Sequence, residues 1–188
     1  MAEAAHRRAT YQDVLDAPSH VIAEVIAGTL YTHPRPRPRH ARASSRIGAL
    51  LDGPFDRGVD GPGGWILLDE PELHRGAGPD ILVPDLGGWR RDTLPEFPDE
   101  AFIDIRPDWV CEVLSRSTEQ LDRADKMPVY QREGVAHVWL IEPELQTLEV
   151  FRLDGATYRL VHTWKAEERC RAEPFDAVDL DLAQLWTW

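Results

Sequence analysis

The sequence has little that would suit a secreted or membrane protein. Only two of its 188 residues are cysteine, and Cys111 sits inside an apolar run, which favours a buried thiol over a disulfide with Cys170. No stretch approaches the roughly 18 consecutive apolar residues that a membrane-spanning helix needs. Residues 1–10 are polar, unlike a secretory signal or an anchor. With no internal repeat and no linker, we expect one cytoplasmic domain over residues 1–188.

Positive charge is also scarce, since the net charge is −12. Nucleic-acid-binding proteins usually carry a basic surface, so the overall charge argues against that class of partner. The shortage is uneven, however, because residues 33–46 hold five arginines and no acid: Arg35, Arg37, Arg39, Arg42 and Arg46. If this segment carries +5, the rest of the chain carries −17. The arginines are suited to contacts with a phosphate backbone, or else they form a solvated loop and helix face.

Hydrophobic periodicity and turn residues predict an α/β fold of the restriction-endonuclease-like kind, a mixed β-sheet flanked by helices with extra β-hairpins. The predicted helices cover residues 10–17, 40–51 (stopped by Gly53-Pro54) and 117–133 (with a capping box at Ser117, a bend at Pro128 and Gly134 as C-cap). The predicted strands cover residues 21–26, 29–32, 65–68, 81–83, 109–114, 137–141, 148–153 and 158–164. Residues 34–39 alternate proline and arginine and predict an extended arm. Residues 86–106 read as a turn-rich connection, and a tail with four large apolar residues is expected to pack on the core.

Glu112 is the most informative single residue, because it interrupts the apolar run 109–114. In a strand it shares a face with Val110 and Leu114, where an unpaired carboxylate costs several kcal/mol. It must therefore be paired with a cation, protonated, or placed at the open end of the strand. A metal-binding or catalytic role and a structural ion pair with an arginine both fit.

Asp85 and Asp80 are rival candidates for a second carboxylate. Asp85 follows an apolar strand that Pro84 ends, whereas Asp80 comes after Pro79 at the start of that strand. Five residues apart in a regular strand, the two side chains face opposite ways, so only one can point at Glu112. A plain turn-forming role is the alternative for Asp85.

Lys126 stands out because lysine is rare. Of the 21 basic residues only Lys126 and Lys165 are lysine, so a lysine kept inside a helix suggests a need for a compact ammonium that the planar guanidinium of arginine cannot replace. The alternative is a solvated pair with Asp122, four residues earlier, worth a few tenths of a kcal/mol.

These residues occur within a longer series of segments that resembles the Uma2 family of restriction-endonuclease-like proteins, part of the PD-(D/E)xK nuclease superfamily. The resemblance runs from about residue 10 to 186 and rests on order and spacing. Its segments are AEVIAG (23–28), His40 opening a helix, VPD (83–85), PDWVCEVLS (107–115), Asp125-Lys126 with Tyr130, GV (134–135) and VWLIEP (138–143).

The resemblance implies that Asp85 and Glu112 bind Mg²⁺, with Mn²⁺ as a substitute, and that Lys126 orients the attacking water or stabilises the charged phosphorus centre. It also suggests Glu24 and Tyr130 as supporting residues, although a strand-edge charge is an equal alternative for Glu24. Leu114 occupies the place of the usual lysine two residues after the glutamate, so Lys126 on the following helix would replace it. Ala27 and Arg116 depart from the residues that the family often has.

The implied function is a Mg²⁺-dependent endonuclease of bacterial type acting on DNA, expected by analogy to be a homodimer whose two sites cut two strands. Two alternatives remain open: a non-catalytic nucleic-acid or protein-interaction module on the same fold, which the acidic charge favours, and a nuclease acting on RNA.

Overall fold

A computed structural model of the protein describes residues 7–76 and 80–187. Most of the polar segment 1–10 and Pro79 lie outside this part, so the expectation that residues 1–10 are neither a signal nor an anchor stays a prediction. None of the described helices is long and apolar enough to cross a membrane.

The described residues form twelve strands and five α-helices, with two π-helical turns that continue or interrupt helices. The strands are β1 (Val21–Ile26), β2 (Thr29–Pro34), β3 (Trp65–Asp69), β4 (Leu73–Arg75), β5 (Asp80–Leu82), β6 (Leu86–Arg90), β7 (Trp109–Val113), β8 (His137–Glu142), β9 (Thr147–Asp154), β10 (Thr157–Lys165), β11 (Arg169–Cys170) and β12 (Leu180–Asp181). The helices are α1 (Tyr11–Leu15), α2 (Pro38–Leu51), α3 (Glu119–Leu121), α4 (Met127–Glu133) and α5 (Ala183–Trp186), and the π-helical turns are Asp52–Asp56 and Asp122–Lys126.

A six-stranded sheet in the order β10-β9-β8-β7-β6-β3 is the centre of the fold. Strands β7 and β8 are parallel, and the other neighbours in this sheet are antiparallel. The parallel pair needs a crossover, which the α3–α4 segment supplies. A second sheet, β2-β1-β5-β4, and the short pair β11-β12 complete the strands. The predicted mixed α/β fold with flanking helices and extra hairpins is confirmed.

Strand β7 is buried on both faces, and its side chains alternate between two cores. Trp109, Cys111 and Val113 belong to one apolar cluster, with α2 and the C-terminal tail. Val110 belongs to the other, as do Leu114 just after the strand and residues of α4 and β8. This period of two puts Glu112 on the Val110 face, as the sequence predicted.

The predicted tail packs on the first cluster, together with Phe175, which precedes it and which the sequence did not single out. The Phe175 ring centroid lies 4.8 Å from that of Trp65, 4.9 Å from that of Trp109 and 5.5 Å from that of Trp139. Leu180, Leu182 and Leu185 are buried in the same cluster. The tail is therefore part of the core.

The prediction of a turn-rich connection over residues 86–106 was wrong for its first five residues, which form strand β6 and pair with both β3 and β7, and it holds for residues 91–106. Gly87 and Gly88 weaken the β-strand pattern, but the packing leaves no room for larger residues. A Cβ on Gly88 would lie 2.9 Å from Cε3 of Trp109, and one on Gly87 would lie 2.8 Å from the Trp89 ring. The glycines are required by the aromatic rings that cross the strand.

Two helix boundaries also differ from the prediction. Helix α2 begins at Pro38, inside the predicted extended arm and two residues before the predicted start, because proline suits the first position of a helix. It ends at Leu51 as predicted, although Gly53-Pro54 does not end the helical path, which continues as a π-helical turn closed by a bond from the Arg57 N–H to the Asp52 carbonyl. The capping box at Ser117 does not form: Thr118 is the N-cap, without a side-chain cap bond, and the Ser117 hydroxyl lies 3.0 Å from that of Ser115. Gly134, at φ 78°, is the left-handed C-cap that was predicted.

Candidate active site

A cleft of ≈ 890 Å³ opens where strands β7 and β8 end. Crevices beyond the carboxyl ends of parallel strands are the usual ligand sites of α/β folds. The lining comes from the β2–α2 connection, the start of α2, the segment after β5, the end of β7, the loop before α3, the π-helical turn Asp122–Lys126 and the end of β8. Asp85, Glu112 and Lys126, which the sequence singled out, all line this cleft.

Glu112 reaches the cleft floor from the central strand. Its Oε1 accepts a hydrogen bond from the Tyr130 hydroxyl at 2.5 Å and lies 2.8 Å from Nζ of Lys126. The expected partner cation is therefore a lysine, not an arginine. Tyr130, on α4, is buried within the second apolar cluster and is fixed where it can donate this bond.

Lys126 lies where several oxygens converge. Besides Glu112, its Nζ lies 3.2 Å from Oε1 of Glu24 and 3.5 Å from Oδ1 of Asp122, and it donates to the Val83 carbonyl at 3.3 Å. The expected pair with Asp122 exists, but both side chains are buried, so it is not the solvated contact that the sequence suggested. The approach of Lys126 to Glu112, which no sequence motif could supply, is present.

Glu24 is held below the floor by β1. Its Oε1 accepts the Val83 N–H at 2.7 Å, and its Oε2 lies 2.9 Å from Nε2 of His33 on β2. Complete burial rules out the strand-edge position considered as its alternative. The hairpin β1–β2 thus contributes a carboxylate and an imidazole to the site.

Asp85 and Asp80 are separated as the strand geometry required. Oδ2 of Asp85 accepts the Val113 N–H at 2.7 Å, which ties it to the end of β7, and Oδ1 lies 3.4 Å from Nε2 of His40. Asp80 instead accepts the Ala27 N–H at 2.6 Å and pairs with Arg132 at 2.6 Å. Of the two rivals, Asp85 lines the cleft.

The arginine-rich segment divides between the cleft and other surfaces. Arg35, Arg37 and Arg39 line one rim. Among the described residues, Arg42 and Arg46 do not line the cleft, and the Arg42 side chain donates to the Thr187 carbonyl at 3.3 Å. The break falls within the first turns of α2, which begins at Pro38, because only one face of the helix lines the cleft.

Sequence reasoning missed three cleft residues: Asp122, His33 and His40 as an Asp85 partner. It also missed that Arg116, which lies in the loop before α3 and pairs with Glu144 at 2.8 Å, is a cleft residue. The spacing of Asp122 four residues before Lys126 was a usable signal, since it puts both on one helix face. Nothing local indicated that this face is buried.

The pKa shifts describe a site with more negative than positive charge. Burial raises the pKa of Glu112 well above its usual range, and the charges of Asp122 and Asp85 add to the rise, although Lys126 opposes it. Burial likewise raises the pKa of Asp122. Burial alone would lower the pKa of Lys126, but Glu112 and Glu24 outweigh it and hold that pKa well above its usual value. The lysine therefore stays cationic, and the carboxylates retain a need for further positive charge.

The donor set suits a hard divalent cation, which prefers carboxylate oxygens. Within residues 7–76 and 80–187, no three His, Cys, Asp or Glu side chains are grouped as metal ligands. At the point where carboxylates converge lies the Lys126 ammonium. A cation bound by Asp85 and Glu112 would supply positive charge where burial, and after it the neighbouring acids, raise the pKa of Glu112.

Comparison with known proteins agrees with this architecture. A family model described as "Uma2: Putative restriction endonuclease" matches residues 9–183. The crystal structure of "a putative nuclease belonging to DUF820 from Anabaena variabilis ATCC 29413" superimposes with a TM-score of 0.74, covering 95% of this chain and 97% of that one at 20% sequence identity. At that identity the likeness shows a shared fold. No curated protein gives a significant match.

Proposed function

Because the chain belongs to the Uma2 family, we propose that it is a Mg²⁺-dependent endonuclease that hydrolyses phosphodiester bonds in DNA. The observation that carries the proposal is the meeting of Asp85, Glu112 and Lys126, from three separate segments, on the floor of one cleft. Acid, acid and lysine on a cleft floor are the components that hydrolysis of a phosphodiester requires: cation ligands and a positive charge for the transition state.

In this proposal Asp85 and Glu112 hold Mg²⁺, for which Mn²⁺ can substitute. When bound, the ion would lower the pKa of a coordinated water and neutralise charge on the scissile phosphate. The Val113 N–H fixes one oxygen of Asp85, and the Tyr130 hydroxyl fixes one oxygen of Glu112, so both ligands are held in place before substrate arrives. Such preorganisation avoids a reordering cost during the reaction.

Of the two roles that the superfamily suggests for the lysine, we propose charge stabilisation for Lys126. Glu112 and Glu24 outweigh the effect of burial and raise its pKa, so the ammonium stays protonated. This positive charge can stabilise the extra negative charge that builds on the phosphate oxygens as water attacks phosphorus and the bond to the leaving oxygen breaks. Glu24 supports this role by holding Nζ from below.

We also propose a homodimer. Strand β10 forms one edge of the six-stranded sheet, and an edge strand of nine residues offers backbone groups for pairing with a second copy. Light scattering on the purified protein would give the mass, and a value of 21.4 kDa would contradict the dimer.

A non-catalytic interaction module is the second candidate, favoured by the net charge of −12, which opposes long-range attraction to DNA. The two candidate functions differ in whether the protein cleaves the nucleic acid that it binds. Binding without any cleavage of DNA or RNA in Mg²⁺ or Mn²⁺ would favour the module, and cleavage of RNA alone would replace DNA as the substrate.

The decisive experiment compares variants of the floor with a matched control. We expect Glu112→Gln and Lys126→Ala each to lower Mg²⁺-dependent cleavage by at least ~10²-fold, the cost of losing one charge-stabilising group. Asp85→Asn should behave like them. Asp125→Asn, on the same helical segment as Lys126 but outside the cleft lining, should keep full activity.

Cleavage of a labelled DNA panel with and without a chelator supplies the measurement, and circular dichroism checks folding. Activity that survives Glu112→Gln or Lys126→Ala, or that persists in the chelator, would overturn the assigned roles. If Asp80→Asn were inactive and Asp85→Asn active, the role of metal ligand would pass from Asp85 to Asp80.

A further inference from the structure

We propose that the cleft takes a single nucleic-acid strand, such as single-stranded DNA or an unpaired segment of an opened duplex, and not intact double-stranded DNA. The inference rests on the proposed function, because it names the form of the substrate for the same site. Three features of the described residues support it: the depth of the floor, the arginines that line the cleft and the overall charge.

The reactive groups lie below the protein surface. Side-chain exposure is 3% for both Glu112 and Lys126, and 13% for Asp85. A scissile phosphate must therefore descend between the rims to reach them. The cleft volume of ≈ 890 Å³ lies within the roughly 300–1,000 Å³ of small-ligand pockets, which accommodates a few nucleotides of one strand. A duplex is broader than one strand and holds its phosphates on two backbones, so it would stay higher in the cleft than a single strand.

Arginines line the cleft on two separate segments, and each can contact the phosphate backbone of a bound strand. Arg35, on the β2–α2 connection, pairs with Glu70 at 3.2 Å, and Arg116, in the loop before α3, pairs with Glu144 at 2.8 Å. These pairs are largely exposed to solvent, and exposed ion pairs contribute only about 0–1 kcal/mol. A phosphate can replace the glutamate at little cost and gain the bidentate geometry that guanidinium favours.

The net charge of the chain disfavours binding of a duplex more than binding of a single strand. At −12 the protein repels a polyanion outside the rims. A duplex carries one charge per about 1.7 Å of its axis, and one strand has half that density, one per about 3.4 Å. A single strand therefore meets weaker repulsion while it keeps the same contacts with the rim arginines.

The lining favours contacts with phosphate and sugar over contacts with bases. Four prolines line the cleft (Pro34, Pro36, Pro38 and Pro143), whereas no Trp, Tyr or Phe occurs among the described lining residues. Base stacking on aromatic rings, worth about 1–3 kcal/mol per base in single-strand binders, is thus missing here. We expect moderate affinity with little dependence on base sequence.

The test measures binding separately from turnover. Fluorescence anisotropy in Ca²⁺ in place of Mg²⁺ would compare three labelled probes of one sequence: a 20-nucleotide strand, its full duplex, and the duplex with a central unpaired bubble. We expect the strand and the bubble to bind at least ~10-fold more tightly than the duplex, a difference of about 1.4 kcal/mol. Equal or tighter binding of the duplex, or no binding of any probe, would overturn the inference.

A pair of variants tests the rim. Arg116→Ala should weaken binding of the strand by roughly 3-fold or more, as expected for the loss of one phosphate contact. Arg57→Ala is the control, since Arg57 is also exposed and paired with an acid, Asp52, but lies outside the cleft lining. Equal effects of the two changes would count against the rim.

Cleavage of the same probes in Mg²⁺ distinguishes the two proposals. Tight strand binding without cleavage would leave the single-strand inference standing and remove the endonuclease. Efficient cleavage of intact duplex would support the endonuclease and overturn the single-strand inference.

Discussion

The residues of the cleft floor form an acidic group centred on one ammonium. Nζ of Lys126 lies within 3.5 Å of oxygens from three carboxylates, and a backbone carbonyl also accepts from it. A compact ammonium can serve oxygens from several directions, whereas a planar guanidinium presents its donors in one plane. This geometry accounts for a lysine in a chain that otherwise uses arginine for nearly all of its positive charge.

Asp122 is the carboxylate of this group whose role the sequence did not reveal. We expect Asp122→Asn to lower Mg²⁺-dependent cleavage by about 10-fold or more, because the amide cannot hold the ammonium electrostatically, and charge-paired groups contribute a few kcal/mol. Asp125→Asn, three residues along, is the control. The readouts are kcat and the Mg²⁺ concentration for half-maximal rate, with CD to confirm the fold. Equal activity of both variants would show that Asp122 only fills space.

At this scale the sequence revealed a site residue when that residue differed clearly from its neighbours or from the composition of the chain. Glu112 was identifiable because a carboxylate inside an apolar run requires an explanation. Lys126 was identifiable from composition. Asp122 and His33 lie in ordinary polar surroundings in the sequence, and their burial comes from the packing of distant segments, which no local pattern contains.

At the scale of elements, the cleft is positioned by β6 and β7 together. Asp85 immediately precedes β6, and its carboxylate bonds to the end of β7, so the pairing of these two strands fixes the distance from Asp85 to Glu112. Apolar runs and a C-cap glycine predicted most strands and the end of α4. Strand β6 was missed because its two glycines suit the aromatic rings around them and not any strand propensity.

From the tight packing at β6 we predict the effect of a glycine substitution on the free energy of unfolding. Gly88→Ala should destabilise the fold by about 1–3 kcal/mol, the usual cost of overpacking a core, because the new Cβ would press on the Trp109 ring and on Leu67. Gly53→Ala is the control: its Cβ would meet only the flexible end of Arg57 at 3.7 Å, and its φ is not positive. Urea unfolding monitored by tryptophan fluorescence measures both. A neutral Gly88→Ala would mean that the rings can move aside.

At the scale of the whole molecule, the protein is acidic, with a net charge of −12, but four arginines of the described residues line its cleft. The rim arginines Arg35, Arg37, Arg39 and Arg116 are few, so binding of a nucleic-acid strand should depend only moderately on salt. With about 0.7 counterions released per phosphate contact of a single strand, the slope of log K against log salt should be no steeper than about −3.

Anisotropy titrations of the single strand between 50 and 200 mM salt, roughly the range over which DNA-binding proteins lose most affinity, would measure this slope. Arg116→Ala should make it shallower by about 0.7, whereas Arg57→Ala should leave it unchanged. A wild-type slope steeper than about −5 would reveal a basic surface elsewhere on the molecule.

The π-helical turn Asp122–Lys126 gives this site an unusual dependence on the number of residues in a helix. Its closing bond runs from the Met127 N–H to the Asp122 carbonyl, one residue further than an α-helix would use. Compared with an uninterrupted α-helix, the turn therefore contains one additional residue between the loop after β7 and Tyr130. Because an α-helix advances about 100° per residue, a chain lacking that residue would have to turn either Asp122 or Tyr130 away from Glu112. Length variation within this short segment is thus a sharper criterion for recognising intact sites of this type than the identity of any one acid.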